Sequence, residues 1–172
     1  MEDISSILCY NILGEVMKTI AFFGHRQIID KTLIQEKIMK ILLELGVKEK
    51  LNVLIGCHGC FDKIALSTCL KYKKESDNIK INIVLTSITF LCKDKFGESK
   101  ADFYENKGCR TLFYDIENVY YKNRITYSNK KMVDESDLII CYANMKNYKS
   151  GAKTAVNYAK KQNKKIINLF EK

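Results

Sequence analysis

The 172-residue chain has no proline and no tryptophan, and only two histidines. No proline-rich or glycine-rich linker divides it, so its length reads as one domain with chain enough for a real core. No apolar run approaches the roughly 20 residues that a membrane-spanning helix needs. No basic region precedes the apolar residues of the N-terminus, so a secretory signal is not expected. No long block of like charges occurs either. Cysteine is not scarce, but its count of seven is odd, and Cys69 and Cys141 fall in core patterns. A small secreted disulfide scaffold would look different, and reduced thiols in a cytoplasm fit better.

What is present is ordinary in bulk. Hydrophobic residues at 47% and charged residues at 28% are the proportions of a soluble globular domain. The net charge of +9 attracts nucleotides, nucleic acid or acidic lipid. Abundant Lys, Ile and Asn beside absent Pro and Trp also match an AT-rich genome whose codons favour Lys. The charge therefore favours an anionic ligand without choosing one.

Residues 1–16 read as an extension outside the domain, which spans 17–172. Ile4, Ile7, Leu8 and Ile12 form one short amphipathic face, and Met17-Lys18-Thr19 has the form of a second start just before the first strand. Gly14-Glu15-Val16 could be encoded by a purine-rich ribosome-binding sequence read in frame, which would make the extension an artefact of start-codon choice. From Lys18 the pattern alternates. Strands are expected at 18–24, 52–56, 80–85, 111–114, 138–142 and 165–169. Between them lie a helix opened by Thr32 and Gln35 in capping-box spacing and stopped at Gly46, and a helix from about 62 to 73. Further helices are expected near 99–107, ending at Gly108, around 129–135, and from about 151 to 162. Residues 86–98 fit neither pattern. Strands spaced by helices argue for an α/β fold, a Rossmann-like three-layer sandwich with a mostly parallel sheet of about six strands.

Three turns carry the chemistry. The first strand runs into Gly24-His25-Arg26, where Arg26 offers a permanent planar cation for phosphate or carboxylate and His25 a switchable hydrogen-bonding group. The second strand runs into Gly56-Cys57-His58-Gly59-Cys60-Phe61-Asp62. Gly56 and Gly59 let backbone approach a ligand closely. Asp62 either caps the helix, holds a sugar hydroxyl or acts as a base. Cys57, His58 and Cys60 invite a metal or redox reading. No second paired set of ligands stands at zinc spacing, so no metal and no cofactor are expected. In the third turn, Lys149-Ser150-Gly151-Ala152-Lys153-Thr154, Ser150 caps a helix whose first N–H groups can face a phosphate. It is not a P-loop. Tyr120, Tyr121 and Tyr127, near Asn129, either stack on a base or pave a sheet edge.

Taken in order, Phe22-Phe23-Gly24-His25-Arg26, Gly56–Asp62, Asn129-Lys130 with Met132 and Ser136-Asp137, and Gly151-Ala152 resemble the YpsA-like Rossmannoid proteins of the SLOG superfamily. That superfamily also holds the LOG phosphoribohydrolases and the Rossmann domain of the DNA-processing protein DprA. The resemblance runs from about Met17 to the C-terminus. It implies a nucleotide-like ligand at the strand C-termini, held by Gly24, His25, Arg26, Gly56, His58, Gly59, Asp62, Asn129, Ser150, Gly151 and Ala152, and it implies a homo-oligomer. ADP-ribose-like or cyclic nucleotide signals fit, since superfamily members in bacterial immunity resemble such receptors. The chain departs from the phosphoribohydrolases, which carry P-G-G-x-G-T and a catalytic glutamate. Here Ser150-Gly151-Ala152-Lys153-Thr154 stands instead, with no acidic residue in the following helix. Ser128 replaces the arginine that related sequences often place before the Asn-Lys pair. The expected function is a cytoplasmic sensor or sequestering domain, away from membranes, more than an enzyme. The alternatives are a nucleotide N-glycosidase, using Asp62 or a carboxylate of Asp115–Glu117, and a DNA-associated module. All of them need the three turns to meet at one rim.

Overall fold

A computed structural model describes residues 17–146 and 150–170. The proposed extension 1–16, with Ile4, Ile7, Leu8 and Ile12, lies outside the described residues, as does Lys149. The elements, in chain order, are β1 (Met17–Gly24), α1 (Lys31–Gly46), β2 (Lys50–Ile55), α2 (Cys60–Glu75), β3 (Ile79–Val84), α3 (Lys100–Glu105), β4 (Arg110–Leu112), α4 (Arg124–Glu135), β5 (Leu138–Tyr142), α5 (Gly151–Lys161) and β6 (Lys165–Asn168). The strands form one six-stranded sheet in the order β4-β3-β2-β1-β5-β6, and every pairing is parallel.

The sheet is covered on both faces because its strands alternate two apolar sets. Ile20, Phe22, Val53 and Ile55 point into the layer with Ile34, Ile38 and Leu42 of α1 and Phe61, Ile64 and Cys69 of α2. Ala21, Phe23, Leu54 and Ile139 point the other way, onto Met132 and Val133 of α4 and Ala155, Val156 and Ala159 of α5. The alanines of α5 let that helix lie close to the sheet. One polar chain crosses the central strands: the Asn82 amide donates to Asn52 Oδ1 at 2.8 Å, and the Asn52 amide donates to Thr19 Oγ1 at 3.2 Å.

Several local details differ from the sequence reading. The cap of α1 is Asp30, whose carboxylate accepts the Leu33 N–H at 2.9 Å, so Thr32 and Gln35 lie inside the helix rather than forming a capping box. A short carboxylate one residue ahead of Lys31 wins that place. Gly46 is the last residue of α1, and no positive φ is recorded there. The Tyr72 hydroxyl fills the space a side chain would need, so close packing of α1 on α2 explains this glycine better than helix termination. Gly108 does take a positive φ of 77° after α3. Residues 86–98 hold a single 3-10 turn, Ile88–Leu91, in an otherwise irregular segment. Helix α4 begins at Arg124, five residues before the expected start, its exposed early turns carrying little of the apolar periodicity that marks a helix.

Candidate functional site

Strand order decides where a ligand can sit. From β1 the chain progresses outward through β2, β3 and β4, then returns to place β5 on the other side of β1. Between β1 and β5 the connections leave in opposite directions, and a crevice opens at the strand C-termini. A cavity of about 420 Å³ occupies that position. Gly24, the last residue of β1, borders it with His25 and Arg26, which follow. Gly56, His58, Gly59 and Asp62 come from the β2–α2 turn, Asn129 from α4, and Ser150, Gly151 and Ala152 from the start of α5. All eleven residues singled out from the sequence therefore line one cleft. The turns meet at one rim.

The first turn is clamped from both sides. The His25 N–H donates to the Tyr142 carbonyl at 3.1 Å, and the His25 carbonyl accepts the Phe61 N–H at 3.4 Å. The His25 ring is fixed as well, since Nε2 accepts the Asn144 N–H at 2.6 Å. A backbone N–H can only donate, so Nε2 carries no proton and that of the neutral ring sits on Nδ1. Burial holds His25 below the usual histidine range, which suits this acceptor role. The ring stands nearly perpendicular to Tyr142 and Phe170, at centroid distances of 6.1 and 6.2 Å. Arg26 is exposed and forms no ion pair among the described residues. The bland expectation for such an arginine, a structural carboxylate partner, does not hold.

The second turn is organised by Asp62. One carboxylate oxygen accepts the N–H of both His58 and Gly59, each at 2.9 Å. Asp62 stands at the third position of α2, and Gly59 is the N-cap. The side chain thus reaches back to close the α2 N-terminus with the protein's own anion, which removes that helix end as an open phosphate cradle. Burial pushes the Asp62 carboxyl above the usual carboxylate range, while the two N–H donors and the His58 ring pull it back. Both strand-end glycines serve internal packing. The space beside Gly24 is taken by the Phe61 ring, and a Cβ on Gly56 would stand 3.1 Å from the Asp62 carboxylate.

His58 Nε2 lies 2.6 Å from the Thr86 hydroxyl and 3.7 Å from Cys57 Sγ. Burial pushes the Cys57 thiol up to about 11. A thiol so placed stays protonated near neutral pH, which argues against a reactive thiolate. No group of three or more His, Cys, Asp and Glu able to hold a metal occurs among the described residues.

The third turn is the open one. Ser150 caps α5, its hydroxyl accepting the Lys153 N–H at 3.0 Å. Gly151 and Ala152 border the cleft, and a Cβ added at Gly151 would meet nothing within 4 Å. A helix start leaves its first N–H groups without partners inside the helix and carries a partial positive charge. No protein-family model matches the chain, and comparison with curated proteins gives no match.

Sequence reasoning missed some participants. Ile125 lines the cleft with Asn129, one helical turn away on the same face of α4. Had the helix start been read correctly, that spacing would have found it. Phe22 and Phe23 also border the cavity. Asn144, which fixes His25, had no local signal. Conversely, Tyr120, Tyr121, Tyr127, Asp115 and Glu117 are not among the lining residues, and among the described residues Asp62 is the one carboxylate that is.

Proposed function

We propose that the protein binds a nucleotide or nucleotide-derived small molecule in the cleft between β1 and β5, and acts by sensing or capturing it. The observation that carries this reading is the pairing of an uncommitted Arg26 with the open start of α5 across one crevice at the topological switch point. Arg26 would take a phosphate through its fork, and the Gly151 and Ala152 N–H groups a second anionic oxygen. The cavity is large enough for a small nucleotide, and Ile125 and Phe23 supply apolar wall for a base or sugar face. The SLOG resemblance points to the same ligand class and the same rim.

Thermal-shift screening and calorimetry with ADP-ribose, mononucleotides and cyclic nucleotides test the proposal. Loss of a charge-assisted contact should weaken the bound nucleotide about tenfold to a hundredfold in Arg26→Ala. Unchanged affinity would remove Arg26 from the site, and a blank panel would remove the reading.

A hydrolytic reading has one observation in its favour, the raised Asp62 carboxyl at the cleft wall. Against it stands the use of that carboxylate by two backbone N–H groups. Chromatography of the same nucleotides after incubation separates the two: intact ligand fits capture, and released base fits hydrolysis.

A further inference from the structure

The positive charge of this protein is not spread evenly. Residues 1–117 hold seventeen Lys and Arg against sixteen Asp and Glu, whereas residues 118–172 hold twelve against four. Almost the whole excess of +9 therefore belongs to the last third of the chain. A lysine-favouring codon bias would raise both parts alike. It does not explain why the surplus is confined to one.

The fold brings the two helices of this third onto one side. Helices α4 and α5 pack on the same face of the sheet, through the layer that contains Met132, Val133, Ala155 and Val156. Lys130 and Lys131 of α4 and Lys160 and Lys161 of α5 are solvent-exposed. Lys130 reaches across the seam, its ammonium 5.5 Å from the centre of the Tyr158 ring on α5. Three carboxylates share this part of the fold and offset some of the lysine charge, but each takes its hydrogen bond from an uncharged donor. Asp134 accepts the Tyr158 hydroxyl, Glu135 accepts the Tyr114 hydroxyl, and Asp137 accepts the Thr19 N–H, at 2.9, 2.9 and 2.8 Å. None of the three side chains pairs with a lysine among the described residues.

We infer that the outer face of α4 and α5 is a second binding surface, separate from the cleft, that takes the phosphate backbone of nucleic acid without reading its sequence. Two helices of 12 and 11 residues give a face roughly 18 Å long at 1.5 Å per residue. That is about the rise of five nucleotides at 3.4 Å each. Ammonium groups on flexible stems suit phosphates as point charges and carry no base code. Lysines alone adsorb to an acidic membrane, but firm docking there adds inserted apolar side chains. The most exposed aliphatic side chains, Ile29, Val47, Leu43 and Leu91, belong to the α1 side and to the segment after β3.

The test is fluorescence anisotropy with labelled 30-nucleotide single strands and duplexes of several sequences, at salt from 50 to 200 mM. Four lysines are reversed on the proposed face, as Lys130→Glu, Lys131→Glu, Lys160→Glu and Lys161→Glu. A control reverses four exposed lysines of α1 and α2, Lys31, Lys40, Lys71 and Lys74, for the same change in net charge. Native protein should bind all sequences alike, with affinity falling steeply as salt rises. The α4–α5 variant should lose at least tenfold and show a shallower salt slope, and the control should stay within threefold of native. Where a glutamate variant melts early, the corresponding glutamine variants are read in its place. No binding at 50 mM salt, equal loss in both variants, or capture by phosphatidylserine vesicles without capture of oligonucleotides would overturn the inference.

Discussion

The imidazole of His25 and the backbone of Asn144 are joined across 119 positions of sequence by one hydrogen bond of 2.6 Å, donated by the Asn144 N–H to Nε2. That bond ties the end of β1 to the segment after β5, the two walls of the crevice. It exists only while the ring is neutral at Nε2.

Acidification should therefore loosen the cleft. Burial lowers the proton affinity of both His25 and His58 in the folded state relative to an ordinary histidine at 6.5. The unfolded chain then binds more protons below that value. The contribution is fully present above about 6.5 and is lost as pH falls through the lower folded values. Thermal melts from pH 8 to pH 5 should show a declining midpoint for native protein and a smaller decline for His25→Ala. Parallel curves would show that the His25–Asn144 bond does not govern this window.

Asp62 should matter to stability before any ligand is considered. Asp62→Ala leaves the His58 and Gly59 N–H groups at the α2 start without their acceptor. Unmet donors of this kind cost about 1–3 kcal/mol. Urea denaturation should give a lower midpoint with an unchanged slope. A neutral result would mean that another acceptor, such as water, replaces the carboxylate.

Gly24 should tolerate no side chain. The Phe61 ring stands where its Cβ would be, and Phe61 is fully buried against Phe22 and Tyr142. Gly24→Ala should destabilise the fold by about 1–3 kcal/mol through overpacking. The smaller Phe61→Leu should lessen that penalty in the double variant, because the two sites share one volume. Strictly additive effects would refute the steric account.

Gly151 should behave in the opposite way. Nothing lies within 4 Å of a Cβ added there, so Gly151→Leu should melt within a few degrees of native protein. The new side chain would occupy the cleft, and any midpoint shift given by ADP-ribose or a mononucleotide should disappear. A retained shift would place the ligand elsewhere.

Much of this architecture could be read along the chain. The apolar run Leu138–Tyr142 is β5 residue for residue, and Ser150 caps α5 as its place before an amphipathic helix suggested. The glycine turns were visible as strand ends followed by helix starts. Other features were not legible. Asp30 and Thr32 compete for one cap within three positions, and only the backbone geometry selects between them. Gly46 looked like a helix stop, but the reason for it is Tyr72, which belongs to another helix. Asp62 looked like a cap and does bind the helix start, yet it does so from the third position, leaving the α5 start as the open one.

The alternation of strand and helix, the two apolar faces of each strand and the turn residues are local properties, because each reflects the burial and φ/ψ preference of residues close in sequence. Those the chain determined by itself. The adjacency of β1 and β5 is different. It depends on which crossover packs α4 and α5 against the second face of the sheet, a sum over contacts between distant segments. Only that packing brought Arg26 to the start of α5, set Asn144 against His25, and laid α4 and α5, with Lys130, Lys131, Lys160 and Lys161, side by side.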